Sequence, residues 1–421
     1  MGTRIAASGP ALVAVLATLG CGSTTGPDDV EFTPGPLGAV TLEAGEDTRI
    51  RMLVSVTVAT SLGAVARQGV ELAAGDMGPV RGRQVDLGDP VDTACSPEGG
   101  RAGALGIVAD PKVAGVIGTS CSAAAVAAAP VISDAGLVMI SPSNTSPRLT
   151  SDLAGNAAAD HYAGYFRVSS NDLHQARALS DFVYNRLELR RVATLHDGDP
   201  YTSALVEAFA DAFSGLGGEI PAEAEIEKGD TDMTEVLGEF AAVGPDAIFF
   251  PLFVTEGTAF AAQARTFEGL EGTTLISAAA LLVSTFLAMP ESEGIYFAGP
   301  ESDFRSNVNE LTGRSGAQVL AAYEARYGGP PPSPYWAHTY DATSILISAI
   351  DSVAVEDGDR LFIDRMALRE RVGETAADGL VGAVSCDGFG DCGTGRMNIY
   401  HHTDASVSDI SQLPVVYVYS P

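Results

Sequence analysis

The segment from Val113 to Thr150 combines two short apolar runs, an alanine-rich run between them, and a polar stretch after each apolar run. Val113–Ile117 has the β-branched composition of a strand that is buried on both faces. Ala123–Ile132 has the high helical propensity of alanine, and Leu137–Ile140 is a second buried strand. This order predicts a strand–helix–strand unit, which favours a parallel α/β sheet.

Hydroxyl-bearing residues follow both predicted strands of this unit. Thr119–Ser122 lies at the start of the helix, and Ser141–Pro147 follows the second strand. Open α/β sheets place ligands at the carboxyl ends of their strands, and a helix N-terminus with hydroxyls beside it suits a carboxylate. The pattern therefore predicts a ligand site, although an ordinary crossover with polar loops would have the same spacing.

The alternation of strands and helices occurs in two series along the chain. The first begins with the β-branched run Ile50–Val58, and the second begins with the helix Leu173–Leu187. A later segment contains predicted helices near Asn307–Tyr327 and Thr339–Val353. Because 421 residues can bury two separate cores, we predict two doubly wound α/β domains.

The net charge narrows the range of partners. The chain has 54 acidic and 24 basic side chains, which gives a formal charge of −30. Such a charge disfavours nucleic acid and anionic membrane surfaces as partners.

The first 21 residues have the pattern of an export signal. Arg4 precedes the apolar run Ala11–Leu19, and Gly20-Cys21 closes the segment as in a bacterial lipobox. We predict a signal peptide over 1–21, lipidation of Cys21, a tether over 22–45 and an extracytoplasmic location. A plain secretory signal is the alternative. No later uninterrupted apolar run reaches the roughly 18 residues that a transmembrane helix needs.

Five cysteines leave one unpaired in an exported protein. If Cys21 carries lipid, the other four can form two disulfides, in any of three pairings. Cys386 and Cys392 are close in the run CDGFGDC, which favours a local bridge and leaves Cys95 to pair with Cys121. A second cysteine or histidine cluster at ligand spacing is missing, so we predict neither a metal site nor a cofactor.

Enzymatic motifs are missing from the sequence as well. There is no Gly-x-Ser-x-Gly elbow and no phosphate-binding Gly-x-x-x-x-Gly-Lys loop. Ser120 and Ser122 have no histidine and aspartate at a spacing that supports a triad. We therefore predict that the chain is not an enzyme, with a divergent serine hydrolase as the rival interpretation.

Several ordered motifs resemble one family, the solute-binding proteins of branched-chain amino acid ABC transporters. They are VIGTSCSAAAVAAAPVISDAGLVMISPSNTSPRLT, YFRVSSNDLHQARALSDFV, RRVATLHDGDPYTSALVEAFADAF and YDATSILISAI. The resemblance implies a type I periplasmic binding fold, in which two α/β lobes joined by three crossing strands close on a ligand. We expect an N-terminal lobe of 46–165 plus 299–380 and a C-terminal lobe of 166–298 plus 381–421. The family also bridges the cysteines that match Cys95 and Cys121.

The same resemblance implies roles for individual residues. Ser122 matches the hydroxyl that binds the ligand carboxylate at a helix N-terminus. The next loop binds the carboxylate and amino group through backbone and hydroxyl atoms of Ser143, Asn144 and Thr145. Asp172 matches the acid that accepts the ligand ammonium, although an N-cap role would also explain it.

The second half of the predicted site agrees with the family pattern at one position and departs from it in two segments. Phe253 falls where the family presents an aromatic side chain. The second acid that helps to hold the ammonium would fall in Ser277–Ala280, which contains none. Thr57–Leu62 replaces a glycine-rich ligand loop, with Leu62 near the family's side-chain contact. The predicted ligand is therefore an amino acid or another small carboxylate.

These expectations combine into one predicted function. The chain is expected to be a monomeric lipoprotein that binds a small carboxylate between its lobes and delivers it to an ABC permease. It would contact the membrane only through its lipid anchor. A sensor lipoprotein that signals without transport is the alternative.

Overall fold

A computed structural model describes residues 32–421 of the chain. The predicted signal peptide and the predicted lipidation site, Cys21, lie outside these residues. Within the described range, no helix combines the length and the apolar character needed to cross a membrane.

The strands are β1 (Ala39–Leu42), β2 (Thr48–Val54), β3 (Val85–Asp86), β4 (Val91–Asp92), β5 (Val113–Gly118), β6 (Met139–Ser141), β7 (Tyr165–Arg167), β8 (Val192–His196), β9 (Glu223–Glu225), β10 (Ala247–Phe249), β11 (Thr274–Ser277), β12 (Tyr296–Gly299), β13 (Val308–Asn309), β14 (Arg314–Ser315), β15 (Ala354–Asp357), β16 (Arg360–Asp364), β17 (Ala376–Gly379), β18 (Gly382–Ser385), β19 (Met397–His401) and β20 (Val415–Tyr419). The helices are α1 (Thr60–Met77), α2 (Pro97–Val108), α3 (Ser122–Asp134), α4 (Asp172–Asp181), α5 (Thr202–Gly215), α6 (Thr234–Val243), α7 (Val254–Ala264), α8 (Ser284–Leu287), α9 (Gly316–Tyr327), α10 (Trp336–Val353) and α11 (Arg365–Gly373).

The first lobe is built on a parallel sheet with strand order β3-β2-β5-β6-β7, and β4 pairs with β2. Helices α2 and α3 pack together, and their apolar residues form a core with one face of the sheet. Helices α1 and α10 cover the opposite face. Burial on both faces explains why β5 is entirely buried and reads as a continuous apolar run.

The second lobe repeats this plan with a larger sheet. Strands β9-β8-β10-β11-β12 are parallel, and β19 and β20 extend the sheet antiparallel from β12. Helices α4 and α5 contribute to the core on one face, and α6 and α7 contribute to the core on the other. The chain passes between the lobes after β7, after β12 and before β19. The two doubly wound lobes predicted from the alternating pattern are confirmed.

Two local predictions are wrong. Strand β1 lies within the predicted tether 22–45 and pairs with β16, because Val40 and Leu42 bury their side chains completely. The predicted helix 307–327 is helical only from Gly316, where Ser315 and Gln318 form a capping box. The residues before it form the β13–β14 pair instead. The side-chain amide of Asn309 donates to the carboxylate of Asp341 (2.8 Å).

The two predicted disulfides are present. Cys95 is bonded to Cys121, and Cys386 is bonded to Cys392. The first bond joins the loop before α2 to the residue that precedes α3. The second closes the loop 386–392, which lies beside β7 through a bridge between Arg167 and Asp391.

Candidate ligand-binding cleft

The end of β5 brings the start of α3 to the cleft between the lobes. Gly118 has a φ of +147°, and a Cβ atom there would lie 2.0 Å from the carbonyl oxygen of Leu53. Only glycine therefore allows the chain to turn at this point. Cys121 is the N-cap residue of α3, and its side chain, bonded to Cys95, makes no capping hydrogen bond. The first amides of α3 thus lack a side-chain cap and carry the partial positive charge of a helix N-terminus.

Five residues around this helix start form what we call the hydroxyl wall: Ser120, Cys121, Ser122, Ser143 and Thr145. The wall is held by its own hydrogen bonds. Ser143 Oγ donates to the carbonyl of Ser120 (3.0 Å), and Ser122 Oγ accepts from the amide of Ser146 (3.4 Å). The loop after β6 is therefore fixed directly against the N-terminus of α3.

A buried arginine holds the same loop from behind. Arg167 is fully buried, and its guanidinium donates to the carbonyl of Ser146 (2.7 Å) and to Thr150 Oγ1 (2.6 Å). Its Nε also forms an ion pair with Asp391 of the disulfide loop. Burial acts to raise the pKa of Asp391, but the charge and hydrogen bonds of Arg167, with a hydrogen bond from Asn171, outweigh it and lower that pKa.

The other six residues around the same chamber come from both lobes and form what we call the aromatic wall: Leu62, Tyr201, Phe253, Ala279, Ala280 and Tyr335. The rings of Tyr201 and Phe253 lie 5.7 Å apart in a tilted arrangement. The two walls enclose an inner chamber of about 20 Å³, which is room for a single water molecule. A larger solute can reach the hydroxyl wall only when the lobes separate.

An outer chamber of about 330 Å³ continues from the inner one. Leu62, Phe253 and Ala280 border both chambers. Lys228 lines the outer chamber and lies 4.9 Å from the centroid of the Phe253 ring. Its ammonium is paired with the carboxylate of Asp199 (2.8 Å).

Side-chain hydrogen bonds join the lobes next to these chambers. The ammonium of Lys228, in the second lobe, donates to the carbonyl of Cys95 in the first (3.4 Å). Ser146 Oγ, in the first lobe, donates to the carbonyl of Pro200 in the second (2.8 Å). The lobes therefore meet around the chambers in a closed arrangement.

Asp172 lies one layer behind the cleft surface. Its side chain is fully buried, and neither carboxylate oxygen has a hydrogen-bond partner among the described residues. Burial raises the pKa of Asp172 to about 7, against the opposing effects of the Thr145 hydroxyl and of the charge of Arg167. The backbone amide of Asp172 donates to the carbonyl of Thr145 (2.9 Å). The negative charge of the Asp172 carboxylate helps to raise the pKa values of Tyr201 and Tyr335.

The sequence-predicted residues thus occupy different layers. Ser122, Ser143, Thr145 and Phe253 face the inner chamber. The side chain of Asn144 points elsewhere, since its Oδ1 accepts hydrogen bonds from Thr119 Oγ1 (3.1 Å) and Tyr165 OH (3.2 Å). A ligand contact by Asn144 would use its backbone.

Sequence reasoning missed Tyr201 and Tyr335. Both lie directly before helices, α5 and α10, and each follows a proline at positions 200 and 334. Tyrosines next to prolines in two distant loops are a weak signal, because nothing in either loop indicates that the fold brings the rings together.

This arrangement suits a solute with one anionic end and an apolar body. The amides of α3 and the hydroxyls beside them can bind a carboxylate. The rings of the aromatic wall can pack against a flat or branched apolar group. Within residues 32–421, no cluster of three or more side chains suited to a metal ion is found.

Comparisons with known proteins agree with this architecture. A family model described as periplasmic binding protein matches residues 53–392. An amino acid binding protein from Pseudomonas aeruginosa is 25% identical over 293 residues, which are 69% of this chain and 74% of that protein.

Solved structures share the fold at low sequence identity. A leucine-binding protein from Thermotoga maritima has a TM-score of 0.75 and 22% identity, and the match covers 89% of this chain and 99% of that one. An ABC transporter solute-binding protein from R. palustris, in complex with benzoate, has a TM-score of 0.73 and 17% identity, with coverages of 89% and 97%. The chain therefore belongs to the periplasmic binding protein family and has the type I fold of these solved structures.

Proposed function

We propose that the chain is an extracytoplasmic lipoprotein that captures a small carboxylate solute between its lobes and delivers it to an ABC permease. Lipidation of Cys21 would hold it at the membrane through the segment that precedes β1. The ligand would bind first to Ser122, Ser143 and Thr145, and closure would then bring Tyr201 and Phe253 against its body.

One observation carries this proposal: the hydroxyl wall surrounds an uncapped helix N-terminus at the interface of two lobes. Such an end favours an anion by about 0.3–1 kcal/mol, and up to about 2 kcal/mol when partly buried. Contacts with both lobes are what a ligand needs in order to favour the closed form, because only differential binding shifts the equilibrium. Leucine and benzoate, the ligands of the two structural neighbours described above, both carry a carboxylate.

A serine hydrolase is the rival that Ser122 raises. In the structure the Ser122 hydroxyl accepts a hydrogen bond from a backbone amide, that of Ser146. The relatives described above are binding proteins, so we propose binding without turnover. Hydrolysis of a carboxylate ester by the purified protein, lost in Ser122→Ala, would contradict this.

The proposal can be tested by thermal shift with a panel of aliphatic, aromatic and amino acid carboxylates. At least one panel member should raise the melting temperature of the wild-type protein. Ser122→Ala should lose most of that shift, whereas Ser214→Ala, a serine on the exposed side of α5, should keep it. A panel without any shift, or a shift that persists in Ser122→Ala, would contradict the proposal.

A further inference from the structure

The charges around the inner chamber are the first guide to the kind of ligand that it can bind. In the described part of the chain, no charged side chain lines this chamber. A ligand ammonium brings three N–H donors and a full positive charge, and burying such a charge without a counterion is strongly unfavourable.

The residues that follow β11 line the inner chamber without adding a charged group. Ser277 ends the strand, and its hydroxyl donates to the carbonyl of Phe250 (2.8 Å). Ala279 and Ala280 follow and face the inner chamber with methyl groups, at 2% and 8% exposure. A carboxylate at either position would reach the ligand, and neither position has one.

Two acids of this region could replace it, and neither lines the inner chamber. Glu256 lines the outer chamber, where its carboxylate accepts a hydrogen bond from the backbone amide of Gly229 (2.6 Å). Asp172 lies behind the surface of the inner chamber. Its carboxylate is fully buried, and its neighbours Thr145, Tyr201 and Tyr335 form the chamber surface in its place. An ammonium would have to displace these residues before it could contact the carboxylate oxygens.

The rings of the aromatic wall favour an apolar ligand body over an ammonium group. Tyr201, Phe253 and Tyr335 supply three rings, and Leu62 adds an aliphatic surface beside them. When the apolar groups of a ligand pack here, they are removed from water. The gain in binding free energy is proportional to the apolar area that is buried. The outer chamber gives room for the far end of such a body.

We infer that the ligand is a carboxylic acid with an aromatic or branched aliphatic body and no ammonium group. This inference rests on the proposed function, and it names the class of solute that the cleft selects. The hydroxyl wall would bind the carboxylate, and the side chains at 279 and 280 would exclude amino acids of the same shape.

Calorimetry with two matched pairs tests this inference on the wild-type protein. The pairs are 3-phenylpropanoate with L-phenylalanine and 4-methylpentanoate with L-leucine. Within at least one pair, we expect the acid to bind more than about tenfold more tightly than its amino acid, because the ammonium would lose its hydration without a counterion. Equal or tighter binding of the amino acids, or no binding by either acid, would overturn the inference.

A substitution in the wall gives a second test. Ala279→Glu should lower the acid-to-amino-acid affinity ratio by about tenfold or more, because it supplies the counterion. Ala279→Gln has the same size without the charge and should keep the wild-type ratio. Ala280→Glu provides the same test if Ala279→Glu does not fold. An unchanged ratio in a folded glutamate variant would overturn the inference.

The outcome can be separated from that of the proposed function. If an amino acid binds, and Ser122→Ala weakens it, the chain is still a solute-binding protein and only the class of solute is wrong. If no carboxylate of the thermal-shift panel binds, the proposed function itself fails.

Discussion

The two walls of the cleft differ in how they are built. The hydroxyl wall is short in sequence, dense in hydrogen bonds, and braced by Arg167 and by the Cys95–Cys121 bond. The aromatic wall combines residues from five distant segments of the chain, and the rings of Tyr201 and Phe253 pack against each other. The first wall is suited to one invariant group, the carboxylate. The second is suited to the variable part of the ligand, so changes there alter selectivity without altering how the carboxylate is held.

The largest expected effect comes from the brace behind the hydroxyl wall. Arg167→Met should lower the free energy of unfolding by about 3–5 kcal/mol, because it leaves Asp391 buried without its ion pair. The control is Arg148→Met, which removes the ion pair with Asp160; the Arg148 side chain is 53% exposed. Loss of this pair should lower the free energy of unfolding by about 1 kcal/mol or less. Urea denaturation measures both, and equal effects would show that the brace is dispensable.

The two disulfides should differ in their contribution to stability. The Cys95–Cys121 bond closes a separation of 26 residues, and the Cys386–Cys392 bond closes one of 6. Loop-closure entropy then predicts stabilisation of about 3.5 and about 2.2 kcal/mol, respectively. Urea denaturation of the two double Cys→Ser variants would show this order. The reverse order would mean that the disulfide loop beside Arg167 contributes more than its length implies.

Substitutions in the two walls should separate affinity from selectivity. Ser122→Ala should weaken every carboxylate that binds by a similar factor, about tenfold, because it removes one hydrogen-bonding group from the hydroxyl wall. Phe253→Ala should weaken large bodies by about 1–3 kcal/mol and small ones by less. Calorimetry with 3-phenylpropanoate and propanoate tests both. A Phe253→Ala variant that weakens the two acids equally would contradict the division of roles.

The smallest expected effect concerns the pH dependence of stability. The pKa of Asp172 is raised to about 7 in the folded state by burial, whereas an unfolded aspartate titrates near 3.9. The folded chain therefore keeps a proton that the unfolded chain releases. The stability that depends on this proton is complete below about pH 4 and is lost as the pH rises through 7.

Asp172→Asn should remove this dependence and stabilise the protein at pH 8 by about 1–2 kcal/mol. Asp341 is the matched control, since burial raises its pKa to about 6 but its oxygens accept from the amides of Leu380 and Val381 (both 2.9 Å). Asp341→Asn should destabilise the protein, because these hydrogen bonds weaken. Urea denaturation at pH 5 and pH 8 measures both variants, and a destabilised Asp172→Asn at pH 8 would contradict the account.

The difference between the walls also explains what could be predicted from the sequence. The strand–helix–strand unit and the place of Ser122 at the start of α3 were predictable, because apolar periodicity and helix starts are local signals. The β13–β14 pair was not, since its two-residue strands are stabilised by distant groups such as Asp341. Tyr201 and Tyr335 were not either, because 134 positions separate them and only the closed fold brings both to one chamber.

Asp172 illustrates a third case, in which the sequence predicts a role for a side chain but not the depth at which it lies. An acid at the start of a helix near the site predicts contact with an ammonium. The layer in which its side chain lies depends on Thr145, Tyr201 and Tyr335, which come from three other parts of the chain. Sequence spacing alone carries no information about such layering, so the role of Asp172 as an ammonium acceptor stays a prediction.

Mass spectrometry of the solute that co-purifies with the protein tests the central claim most directly. The full chain, purified without denaturation and then unfolded in organic solvent, should release a small monocarboxylic acid that lacks an amino group. The same preparation of Ser122→Ala should release less of it. Release of an amino acid such as leucine would contradict the selectivity that the uncharged inner chamber implies.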